Sequence, residues 1–235
     1  MLGAALTMAT PDQRHAKPLV LIGAGELALI ACEYFQHDSD YDVVAFSVER
    51  EYLRDSTLAD RPVVPYEELE THYPPSDYDV FVAIPSSQLN RLRTRFYLDA
   101  KARGYRFATY ISSRAFVWRN AEIGENSFIF ENNVIQPFVR IGNNCILWSG
   151  NHVGHRTVIR DNVFVASHAV ISGYCDIGES SFIGVNTTFN DHVKVAQDNV
   201  IGSGALVTRD TEVGRVYVGS PARAVPDRSS LDVRL

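Results

Sequence analysis

The chain is sparing with sulfur and with tryptophan: 3 Cys, 2 Met and 2 Trp among 235 residues. Cys32, Cys145 and Cys175 are odd in number, widely spaced and without a CxxC pair, which speaks against a disulfide framework and fits a reducing, cytoplasmic setting. They read as core thiols. A cationic excess is also missing, since 22 Lys and Arg stand against 28 Asp and Glu, for a formal charge of −6. Nucleic acids and anionic membranes are met by basic faces, so neither is expected as a partner. No apolar run is long enough to span a bilayer. Residues 1–17 lack the apolar stretch of a secretion signal, carry a second methionine at Met8 and read as a flexible lead.

What the chain does have is a repeat. From Ile111 onward apolar residues recur every six positions without an insertion, through Val117, Ile123, Ile129, Ile135, Ile141, Leu147, Val153, Ile159 and so on to Val207 and Val213. Two positions earlier the residue is small or medium-sized, as at Ala121, Ser127, Thr157 and Thr187, and the next position is often glycine, as at Gly124, Gly142, Gly154 and Gly178. A helix repeats at 3.6 residues and a simple strand at 2, so a period of six describes short strands joined by regular corners, each aiming one large side chain inward. That is a parallel β-helix over 111–214, with 215–235 as a terminal turn and tail.

Residues 18–110 follow a different pattern. "KPLVLIGAGELALIACEYF" reads as strand, glycine-rich turn and helix, "YDVVAFSV" and "YDVFVAIPS" as two further buried parallel strands, and Asn90 to Arg103 as an amphipathic helix. The expectation is a small βαβαβ, Rossmann-like domain abutting the solenoid. Gly23 and Gly25, with Glu26 beside them, would open a helix N-terminus to a phosphate, and Glu49 ends the second strand where a ribose ligand is expected. Fewer than a hundred residues make only about half a dinucleotide fold, which favours a nucleotide or nucleotide-sugar over a nicotinamide cofactor. A purely structural turn remains open.

Three of the 7 histidines, His152, His155 and His168, fall close together in sequence. If eighteen residues form one coil, residues eighteen apart stack at about 4.8 Å. One column is then Arg119, Pro137, His155, Gly173, Asp191, Arg209, and another Arg114, Asn132, Gly150, His168, Asn186, Gly204. His155 lies just past an inward corner and faces outward, with Gly173 leaving room over its ring and exposing a backbone N–H. Acyl transfer from a thioester needs such a pair: a base that titrates near neutrality and a donor for the developing oxyanion. An exposed turn histidine is the plain alternative. Asn133 and Asn151, at the inward small position, read as a structural amide ladder.

The [LIV]-G-x-x-x-x pattern, "NHVGHRTVIRDN" and the terminal "GSPAR" resemble the hexapeptide-repeat sugar acetyltransferases, the sialic acid O-acetyltransferase and nucleotide-linked amino-sugar N-acetyltransferase type. The resemblance spans nearly the whole chain. It implies an α/β Rossmann-like domain followed by a left-handed parallel β-helix, a homotrimer with active sites between subunits, and acetyl-CoA as co-substrate. It implies His155 as general base, Gly173 at the oxyanion, Val185 and Ser203 at coenzyme A, and the turn from Gly219 to Arg223 beside it. Arg209 and Arg223 are candidates for its phosphates, and His168 and Asn186 for the acceptor side of the cleft. The sequence departs from the family where Arg156 stands in place of a carboxylate after the histidine, and where "GAGELA" replaces the usual N-terminal turn.

The expected activity is acetylation of a sugar, foremost the amine of a nucleotide-linked amino-sugar in bacterial surface-glycan (lipopolysaccharide) synthesis. O-acetylation of a sialic-acid-like sugar and a non-catalytic, trimeric nucleotide-sugar-binding protein are the alternatives. A metal site is not expected, because the histidines lack the spacing of the zinc-dependent carbonic anhydrases built on such solenoids.

Overall fold

The structure, a computed structural model, describes residues 16–234. The lead expected over 1–17 therefore lies outside the described residues, except for Ala16 and Lys17. The N-terminal part contains β1 (Lys17–Ile22), α1 (Glu26–His37), β2 (Tyr41–Val48), β3 (Thr57–Leu58), β4 (Arg61–Pro65), α2 (Leu69–His72), β5 (Asp79–Val82), α3 (Arg91–Ala102) and β6 (Arg106–Phe107). The sheet order is β3-β4-β2-β1-β5-β6, parallel except for the β3–β4 hairpin. The βαβαβ expectation omitted that hairpin and α2. "RPVVP" alternates too little and carries two prolines, yet β4 pairs with β2 through Val63 and Val64 at the edge of the parallel set, where proline is tolerated. Leu19 to Ile22 and Val80 to Val82 are fully buried, as strands covered on both faces must be.

From Tyr110 onward the chain winds through two-residue strands that stack into three sheets. Partners in neighbouring coils are eighteen residues apart, as in Phe128↔Ile146, Val134↔His152 and Arg140↔Val158. Face one runs from Tyr110–Ile111 to Arg215–Val218, face two from Phe116–Val117 to Leu206–Val207, and face three from Glu122–Ile123 to Lys194–Val195. The inward residues from Ile129 to Val207 form one continuous buried core.

The register fails in one place. Val200 pairs with Val216 and Ile201 with Tyr217, sixteen residues on, so the last coil is short by two and Val213, expected inside, is 59% exposed. Tyr217 takes the inward place instead.

Corners are set by left-handed residues at the same period: Asn126, Asn132, Phe138, Asn144, Arg156, Asn162, His168, Tyr174, Ser180, Asn186, His192 and Asp198 all have φ between 53° and 65°. Asparagine tolerates this region better than most residues, which accounts for its recurrence there. The amide ladder also lies at a corner. Asn126 Nδ2 donates to Asn144 Oδ1 (2.7 Å), Asn144 to Asn162 (2.8 Å) and Asn162 to Glu179 Oε1 (3.0 Å). Asn133 and Asn151, where the ladder was expected, instead bond backbone: Asn133 donates to Phe130 O and Trp148 O, and Asn151 accepts from Ala169 N–H. Their side chains point inward, where the nearest unpaired groups are main-chain carbonyls and amides.

The three faces differ in outward chemistry. Face one presents Tyr110, Phe128, Ile146, Phe164 and Phe182, and the α/β domain covers it through Leu27, Tyr34, Phe35 and Phe81. Polar keys fix the docking: Val82 N–H donates to Asn126 Oδ1 (2.8 Å), and the fully buried Arg93 donates to the carbonyls of Ile84, Pro85 and Asn144. Arg93 is brought down to about 10 by burial and stays charged at neutral pH, so its carbonyl partners are what make the burial tolerable. Face three shows Glu122, Arg140, Asp176 and Lys194 to solvent. Face two shows Phe116, Val134, His152, Val170, Thr188 and Leu206, with Phe116 52% and Val170 43% exposed.

Candidate active site

His155 sits on the corner between faces two and three. Its backbone N–H donates to Gln136 Oε1 (2.9 Å). Its ring lies over Gly173 on the next coil, so closely that a Cβ built there would be 2.6 Å from Cε1 and 3.0 Å from each ring nitrogen. A side chain at 173 would therefore push the imidazole out of this position. The Gly173 N–H is not free, however, because it donates to Asp191 Oδ1 at 2.8 Å. Asp191 makes no hydrogen bond or ion pair with the imidazole; it reaches back one coil and occupies the donor assigned to the oxyanion.

The adjoining column explains Arg156. Residues Phe138, Arg156, Tyr174 and His192 stack at the left-handed position. The Arg156 guanidinium lies 4.4 Å from the Phe138 ring, directed one coil back. Tyr174 meets His155 edge-on (5.2 Å, 81°) and stacks on His192 (4.8 Å, 12°). The group flanking the imidazole is therefore an aromatic ring where the resemblance implies a carboxylate. Tyr174 stands eighteen residues beyond Arg156, so the sequence carries it in the column next to that of His155.

His168 occupies the other edge of face two, with φ 62°, its ring over Gly150, where an added Cβ would be 2.7 Å from Nδ1. Asn186 stacks on it, and the exposed Val185 and Ser203 share that edge. Within one chain, then, His155 and Gly173 lie on one edge of face two, and His168, Val185, Asn186 and Ser203 on the other. Arg209 is in the bend beyond the last regular coil; Arg223 opens the antiparallel strand Arg223–Ser229, just after Ala222 N–H donates to Leu206 O (2.7 Å). His152 is half-buried on face two between Val134 and Val170. Among the described residues no group of three or more His, Cys, Asp or Glu is placed to hold a metal ion, and no helix is long and apolar enough to cross a membrane.

A pocket of about 520 Å³ opens at the C-terminal ends of β1, β2 and β5, where the connections leave the sheet in opposite directions. Gly23 has φ 127°, and a Cβ there would be 2.7 Å from Ala83 O, so the turn needs glycine; Gly25, the N-cap of α1, has open space around it. Both line the pocket, as do Tyr52, Glu49 and Arg95. Arg95 binds Glu49 through two bonds (2.8 and 3.0 Å), which holds the Glu49 carboxyl below its usual range. Glu26 is exposed at the start of α1 and does not line the pocket. An acid on the first helical turn opposes a phosphate at the same N-terminus.

A parallel β-helix with a parallel α/β domain docked on one face is the architecture of a group of sugar acetyltransferases. The acetyltransferase domain of PglB from Neisseria gonorrhoeae FA1090 superposes with a TM-score of 0.80 at 24% identity over 89% of this chain and 100% of that one. A histidine-to-asparagine variant of perosamine N-acetyltransferase from Caulobacter crescentus, in complex with CoA and GDP-perosamine, gives 0.82 at 24% identity over 89% and 97%. WeeI from Acinetobacter baumannii AYE gives 0.69 at 23% identity over 88% and 99%. At such identities the likeness is one of fold. The family model of the GMPPB C-terminal domain matches residues 106–215. No curated protein matches the sequence.

Proposed function

We propose that the chain is an acetyl-CoA-dependent N-acetyltransferase of nucleotide-linked amino-sugars, serving bacterial surface-glycan synthesis. The observation that carries this reading is the pairing of His155 with Gly173: an exposed imidazole on one coil, and on the next a backbone donor with no side chain between them. Similar folds that hold CoA with GDP-perosamine, or acetyl coenzyme A, support it. The α/β domain is read as Rossmann-like, with the sugar nucleotide in the pocket at Gly23, Gly25 and Glu49.

In this reading His155 accepts a proton as the neutral amine attacks the thioester carbonyl. A C–N bond forms, the C–S bond breaks, and the proton passes from His155 to the departing thiolate. An acceptor that arrives as ammonium first gives one proton to water. The Gly173 N–H steadies the tetrahedral oxyanion once the Asp191 carboxylate has turned away from it. Val185 and Ser203 would contact coenzyme A, and Arg209 and Arg223 would meet its phosphates, which an overall acidic chain has to do with local cations.

The assembly is read as a homotrimer of left-handed solenoids. Face one is covered, face three is charged, and face two is apolar and open, so three copies packed through face two bury it. Around a three-fold axis the His155 edge of one copy meets the His168, Val185 and Ser203 edge of the next, completing a cleft that neither copy has alone. Thiol release from acetyl-CoA in the presence of GDP-perosamine and of UDP- and dTDP-linked 4-amino-sugars tests the function. His155→Ala should abolish release while leaving the oligomer intact, and undiminished turnover would remove His155 from this role.

A further inference from the structure

Two polar side chains converge on Gly173 from opposite directions along the stack. His155 reaches up from the coil below, and Asp191 reaches down from the coil above to take the Gly173 N–H at 2.8 Å. Asp191 is exposed, and among the described residues no Lys, Arg or His lies within 4.0 Å of its carboxylate in an ion pair. Arg156, the cation beside His155 in sequence, is turned to the Phe138 ring one coil back. A carboxylate outside any ion pair thus borders the same glycine as the base, held by a single bond to the donor on which the oxyanion is expected to form.

We propose that Asp191 selects an ammonium-bearing acceptor, and so commits the site to N-acetylation rather than O-acetylation. This rests on the acetyl-transfer reading above and names the acceptor chemistry for that same site. A sugar amine is largely protonated near neutral pH and offers a cation with several donors, which a carboxylate binds by charge-assisted hydrogen bonds about twice as strong as neutral ones. A sugar hydroxyl brings no charge and gains much less. The exchange is coupled. As the carboxylate rotates to the ammonium it gives up the Gly173 N–H, which is then available to the thioester carbonyl. The ammonium loses one proton to water, and the amine, held beside His155, loses the second to the imidazole as the C–N bond forms. Acceptor capture and assembly of the oxyanion site become one motion, in a place where Arg156 leaves no carboxylate next to the histidine.

The test uses the full chain with acetyl-CoA, GDP-perosamine and the analogue in which a hydroxyl replaces the amine. Asp191→Asn keeps an oxygen for the Gly173 N–H and removes the charge; Asp191→Ala removes both, and melting temperatures verify that each variant folds. In both variants the KM for GDP-perosamine should rise at least about 10-fold more than the KM for acetyl-CoA, and the amine-over-hydroxyl preference in kcat/KM should fall by a similar factor. If the two KM values rise together, if the preference does not move, or if only Asp191→Ala has an effect, Asp191 is a clamp on the corner and the proposal is overturned. If the unmodified protein releases no thiol from acetyl-CoA with either acceptor, the acetyl-transfer reading fails first and this proposal falls with it.

Discussion

The His155 ring and the Gly173 backbone, on successive coils, fill one another's space: a side chain as small as a methyl on Gly173 would sit 2.6 Å from the imidazole Cε1. No left-handed φ is required at Gly173, so alanine is acceptable there to the backbone, and the nearest atoms that its methyl would meet are those of the ring. His155 is exposed and can swing outward to relieve the clash. Gly173→Ala should therefore lower kcat/KM about 100-fold, the scale of a misplacement near 1 Å, with little change in Tm. Melting and acetyl-transfer kinetics measured on one preparation decide it; a variant of full activity would separate the glycine from the chemistry.

Tyr174 bounds the histidine on its other side, edge to ring at 5.2 Å, and is itself stacked on His192 at 4.8 Å. Its contact is made by the ring, so Tyr174→Phe should keep kcat within about twofold, while Tyr174→Ala should cost about tenfold in kcat by freeing the imidazole to sample other rotamers. Rescue by phenylalanine is the readout that distinguishes an orienting ring from a hydroxyl that takes part in proton transfer. Equal losses in the two variants would assign the role to the hydroxyl.

Val170 projects from the middle of face two, between His152 and Thr188, and is 43% exposed in the single chain. If face two closes a trimer, Val170→Glu buries three carboxylates near one axis and should dissociate the assembly. Sedimentation should show a trimer for the unmodified chain and a folded monomer for the variant, with acetyl transfer lost because the two edges of the cleft come from different copies. A monomeric variant with full turnover would place the whole site within one chain.

The solenoid was readable because its core repeats a large apolar side chain at one spacing: the period from Ile129 to Val207 fixes which side chains are inside, and the eighteen-residue column puts Gly173 over His155. What escaped reading depends on chemistry that spacing does not carry. Asn126 and Asn133 are both asparagines in the repeat, and only the left-handed φ of 53° at Asn126 places its amide beside Asn144, whereas Asn133 faces main-chain carbonyls. Val213 kept the period but lost its place when Tyr217, larger and two residues early in register, closed the end of the core. The engagement of the Gly173 N–H by Asp191 could not be foreseen either, since a column gives proximity along the stack and leaves the rotamer open.

Three carboxylates join the α/β domain to the first coils, and they make that junction sensitive to acid. Asp38, at the end of α1, accepts from Tyr110 Oη (2.6 Å) and Ser113 N–H (2.9 Å); Glu125 accepts from Tyr97 (2.6 Å) and pairs with Lys101; Glu131 accepts from Tyr34 (2.8 Å) and Ser149 (2.6 Å). Burial acts to raise each, but these bonds outweigh it, and all three carboxyls lie below the ordinary 3.8 of aspartate or 4.5 of glutamate. With native values depressed, the unfolded chain takes up protons first as pH falls, so the stability these groups contribute is complete above the ordinary values and is lost on descending through the native ones. Tm should be level above about pH 5 and fall progressively below about pH 4. Removing the donors by Tyr34→Phe with Tyr110→Phe should lower Tm at neutral pH and flatten the acid limb, because the carboxyls then titrate nearer their unfolded values. An acid limb of the same slope in that double variant would locate the sensitivity outside this junction.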